Sequence, residues 1–88
     1  MKGSKSKQEG SKMTDKVKAA IEKGLEVARE YGENSWWSSY EIHQKEWKNY
    51  GKHRMYISFT GMNSQGIPQK TYKVGWVDMV DGAFVKTI

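Results

Sequence analysis

Cysteine is absent from this sequence. No disulfide can staple the chain, and no thiolate can serve as a nucleophile or zinc ligand. Histidine occurs only at His43 and His53. Two histidines, even with Glu41 or Glu46 nearby, match no standard metal-ligand spacing, so neither metal nor cofactor is implied. No apolar run approaches the roughly 20 residues of a membrane span. The opening stretch MKGSKSKQEGSK has charge but no apolar segment behind it, unlike a secretory signal. These absences lead to the expectation of a soluble cytoplasmic protein that does not enter membranes.

What is present is small and polar. Eighty-eight residues make at most one domain, and 36% hydrophobic content leaves a modest core. The net charge of +5 is unevenly placed. Residues 1–12 carry four lysines against Glu9, residues 13–33 are slightly acidic, and residues 34–88 carry seven basic groups against four acidic ones. Residues 1–12 hold almost nothing apolar and read as a disordered basic tail. Residues 13–88 read as the domain.

The clearest element lies in residues 14–31. Val17, Ala20, Ile21, Gly24, Leu25, Ala28 and Tyr31 recur at helical spacing. Thr14 or Asp15 suits the N-cap, and Gly32 sits where a helix-ending glycine belongs. Beyond Asn34 the period becomes two. Met55, Ile57 and Phe59 alternate with polar residues, as do Tyr72, Val74 and Trp76, and both runs predict half-buried strands. Asp81-Gly82 predicts a hairpin, so residues 83–88 should return as a last strand. Residues 36–47 fit a first strand or a short helix, with Asn49-Tyr50-Gly51 as the turn after it. The predicted fold is α+β: one N-terminal amphipathic helix packed on an antiparallel meander of three or four strands. Its stripe should meet Met55, Ile57, Phe59, Tyr72, Val74 and Trp76.

One helix covers one face of a sheet. Alternation then assigns Glu41, His43, Lys45, Trp47, Arg54, Tyr56, Ser58, Thr71 and Lys73 to the other face. Lysine and arginine neutralise phosphates, and aromatic faces stack on bases. The stretch EWKNYGKHRMY mixes both kinds of side chain. The candidate nucleic-acid-binding residues are Lys45, Trp47, Lys48, Lys52, Arg54, Tyr56 and Lys73, with single strands favoured. A plainer reading competes, because lysines protect exposed strands and aromatics favour strands anyway. A third reading takes the four tryptophans as protein-contact residues, in a homodimer or in a small inhibitor or adaptor.

Catalysis finds little support. Gly61 and Gly66 have the glycine spacing of a phosphate-binding loop, but Ile67-Pro68 stand where lysine and a hydroxyl residue belong. The expectation is a non-enzyme. The helix-then-strands order resembles double-stranded-RNA-binding domains in topology alone, since their closing helix and its basic start have no counterpart here. RNA-recognition domains need a second helix and an aromatic strand motif, both lacking. Topology shared at that level implies no function.

Overall fold

The structure, a computed structural model, describes residues 14–88. The expected tail at residues 1–12 lies outside the described residues. Helix α1 spans Asp15–Glu33, followed by strands β1 (Ser39–Asn49), β2 (Lys52–Met62), β3 (Pro68–Asp78) and β4 (Ala83–Lys86). The strands form one antiparallel sheet in the order β1-β2-β3-β4. The predicted α+β meander is therefore present with four strands, and residues 39–47 are strand rather than helix.

Helix α1 begins as its sequence suggests. The Thr14 hydroxyl accepts a hydrogen bond from the Val17 N–H at 3.2 Å, satisfying one free donor of the first turn. The C-terminus differs from expectation. The helix runs through Gly32 and is capped at Asn34, whose N–H bonds back to the Glu30 carbonyl. The bare Cα of Gly32 lies against the Tyr40 ring, where a Cβ would come 2.6 Å from the nearest ring carbon. The glycine is there for contact, not for a left-handed stop.

The helix crosses the sheet diagonally. Val17 lies near Gly82 at the β3–β4 turn, Gly24 touches Ile57 and Phe84, and Gly32 reaches Tyr40 on β1. Val17, Ala20, Ala28, Ile57, Phe59, Val74 and Val77 form the buried core. Small residues on the helix stripe let it sit close to the strands. Strands β2 and β3 are joined by a tight turn at residues 63–67. There the Asn63 carboxamide oxygen accepts from the Gln65 and Ile67 N–H groups at 2.9 and 3.0 Å.

One packing expectation is overturned. Trp76 does not face the helix. The β2–β3 pairing slips between Ile57 and Ser58, so that Gly75 opposes Ile57 while Lys73 opposes Ser58. Val74 is the extra residue of a β-bulge, and both it and Gly75 are buried. Alternation restarts one residue late. Trp76 comes to oppose Tyr56, on the face away from the helix.

Candidate functional site

The uncovered face can be laid out from the register. Lys45, Tyr56, Trp76 and Val85 lie in one row across the four strands. Trp47, Arg54, Asp78 and Ala83 form the row on one side of it, and His43, Ser58 and Lys73 the row on the other. Glu41, Thr60 and Thr71 follow. The centre of the face is thus basic and aromatic, with one carboxylate toward each end.

Stacking orders the centre. The Arg54 guanidinium lies 3.8 Å from the centroid of the Trp76 ring. Its Nη1 also donates to the Tyr56 hydroxyl at 3.3 Å. Trp47 meets Tyr56 edge to face, with centroids 6.4 Å apart at 76°. A guanidinium held on an indole presents a flat cationic surface with donors left over, a geometry suited to bases and phosphates alike. A groove of about 680 Å³ opens beside this cluster. Its lining includes Lys45, Trp47, Tyr56, Lys73 and Trp76, together with Ile57 and Gly75. The bulge at Val74 places Trp76 at the side of this groove.

The surrounding groups are fixed by hydrogen bonds. His43 Nε2 and the Thr60 hydroxyl are 2.9 Å apart, and the Thr60 and Thr71 hydroxyls are 2.8 Å apart. Thr60 is buried, so these bonds satisfy a hydroxyl that would otherwise be costly. At the other end the Asp78 carboxylate accepts from the Asp81 and Val80 N–H groups, both at 2.9 Å. Those two donors, and to a smaller degree Arg54 and His53, hold its pKa below the usual carboxylate range.

Six of the seven residues singled out from the sequence share this region. Lys45, Trp47, Arg54, Tyr56 and Lys73 lie on the open face, and Lys52 has the same parity at the hairpin end. Lys48 does not belong with them. It pairs with His53, whose parity is that of Met55 and Ile57, so it lies on the helix side beyond the reach of α1. The two histidines are likewise on opposite faces, and among the described residues no three histidine or acidic side chains cluster as metal ligands. His53 instead contacts Glu46 across the hairpin.

Trp76 is the site residue that sequence alternation missed. The only hint is Gly75 next to Val74, since glycine inside a strand often marks a bulge. The remaining tryptophans lie elsewhere. Trp37 covers Gly61 on the helix side and donates from Nε1 to the Tyr72 hydroxyl at 3.2 Å. Trp36 stacks on the Trp37 ring at 4.1 Å and remains 80% exposed. Compared with protein-family models, curated proteins and solved structures, the chain matches none.

Proposed function

We propose that this chain binds single-stranded nucleic acid, without catalysis, through the open face of its sheet. The observation that carries the reading is the Arg54–Trp76 stack beside Tyr56 and Trp47, flanked by Lys45 and Lys73 along a groove. Bases would stack on the indole and phenol rings, and the lysines would neutralise phosphates. Base stacking of this kind contributes roughly 1–3 kcal/mol per base and tolerates any sequence. Duplexes fit less well, because their bases are already stacked on one another.

The test is an anisotropy titration of the full chain with fluorescent oligonucleotides, run at several salt concentrations alongside the Lys52→Glu/Lys73→Glu variant. Both lysines are exposed, so the variant should fold. Expected are quenching of tryptophan emission on binding and a preference for single strands. The salt slope in the variant should be shallower by about 1.4, at about 0.7 for each lost phosphate contact. Equal affinity and equal slope in the two proteins would sink the reading. A protein-contact role rests on a different observation, the exposed Trp36 ring. It predicts that Trp36→Ala, and not the lysine reversals, removes the binding activity.

A further inference from the structure

The sheet has two unlike edges. Strand β4 is only four residues long, whereas β1 is eleven residues with neither proline nor glycine. Its pairing with β2 shows no register shift, so no bulge turns the edge away. The orientation of its backbone follows from the ladder. The Met79 N–H bonds to the His53 carbonyl, so odd-numbered residues of β2 bond toward β3 and even-numbered ones toward β1. Their β1 partners are the odd-numbered residues Glu41, His43, Lys45 and Trp47. The N–H and C=O groups of Tyr40, Ile42, Gln44, Glu46 and Lys48 therefore point outward, with no strand of the described residues beside them.

We infer that this edge is the interface of a homodimer, in which β1 pairs antiparallel with β1 of a second copy about a two-fold axis at His43. In that register Tyr40 and Ile42 exchange backbone hydrogen bonds with Glu46 and Gln44 of the other copy. Glu41 directly opposes Lys45, and symmetry supplies the reciprocal pair. Cross-strand partners at non-hydrogen-bonded positions lie about 4.5 Å apart at Cα, close enough for opposite charges to attract. Competing two-fold registers are poorer. An axis at Lys45 opposes two lysines, and one at Glu46 opposes two glutamates. An axis at Gln44 sets Glu41 against Trp47. An axis at Ile42 pairs Glu41 with His43 but shortens the overlap.

The dimer also resolves an uneven coverage. The helix leaves Gln44 and Glu46 exposed on its own side of β1. In the pair they lie beside Ile42 and Tyr40 of the second copy, where a helix end is present. The two open faces join into one continuous sheet surface. This self-association needs no nucleic acid and stands or falls independently of the binding role.

Sedimentation velocity of the full chain over a wide concentration range tests it, with circular dichroism to confirm folding of each variant. The wild type should show a concentration-dependent dimer. Lys45→Glu sets carboxylates against each other twice and should leave only monomer. The exchange Glu41→Lys/Lys45→Glu restores opposite charges and should restore the dimer. Gln44→Pro removes an outward N–H without touching the ladder, and should give a folded monomer. A wild type that stays monomeric at every concentration overturns the inference. So does a Lys45→Glu variant that still dimerises, or a charge exchange that fails to recover the dimer.

Discussion

Tyr50 is the most unusual single residue in the structure. It occupies the first central position of the β1–β2 turn with φ at 50°, followed by Gly51 at 77°. A turn with both central residues left-handed matches the twist of the flanking strands, and asparagine-glycine is its preferred pair. A bulky residue in that region is strained by roughly 1–2 kcal/mol. Packing does not compensate, since the side chain is 93% exposed. Tyr50→Asn should therefore stabilise the domain by on the order of 1 kcal/mol, read as a higher denaturation midpoint with unchanged slope. No gain in midpoint would mean that Tyr50 makes contacts which offset its backbone strain.

Among the elements, β3 decides what the protein presents to its surroundings. Its bulge turns Trp76 outward and buries Val74 and Gly75 together. Gly75 has little freedom to change. A Cβ there would lie 2.3 Å from the Val85 carbonyl oxygen and 2.9 Å from the Phe84 ring. A backbone atom cannot swing aside as a side-chain tip can, so β4 would have to move. Gly75→Ala should cost about 1–3 kcal/mol in chemical denaturation and loosen the short last strand first in hydrogen exchange. A variant as stable as the wild type would show that β4 shifts freely. The same strand marks the limit of what the sequence discloses. Met55, Ile57 and Phe59 alternate on an unbroken strand, and their face was legible from spacing alone. Tyr72, Val74 and Trp76 show the same spacing, yet the slipped pairing at Val74 sends the third to the other side. Spacing within one strand cannot report a slip against its neighbour. Gly32 misled for a related reason: a glycine that ends a helix and a glycine that admits an aromatic ring look alike until the ring is placed. Lys48 was readable in principle. A two-residue turn at Tyr50-Gly51 pairs Asn49 with Lys52, which pairs Lys48 with His53 and assigns both to the helix side.

On the scale of the whole molecule, a net charge of +5 belongs to a chain whose domain has a small core. Acid should weaken it in two ways: self-repulsion grows, and carboxylates that help the fold are neutralised. Asp78 is the carboxylate whose contribution can be isolated. Its pKa is lower in the folded state, so its contribution is complete well above the unfolded value of about 3.9. That contribution is lost as pH falls through the lower folded value. Asp78→Asn keeps an oxygen to accept from Asp81 and Val80 but cannot titrate. The thermal midpoint of the wild type should therefore fall more steeply than that of the variant below about pH 4. Parallel curves would show that the turn is indifferent to this charge. Finally, the diagonal path of α1 bears on how the chain comes to be made. The helix precedes every strand in the sequence, yet it rests on all four, from Gly82 before β4 to Tyr40 on β1. During synthesis each hairpin can close as soon as its second strand emerges, because every strand pairs with its sequential neighbour. The helix has no complete surface to dock on until Phe84 has left the ribosome. Its apolar stripe, formed first, is covered last, and until Phe84 emerges that stripe is what a chaperone would meet.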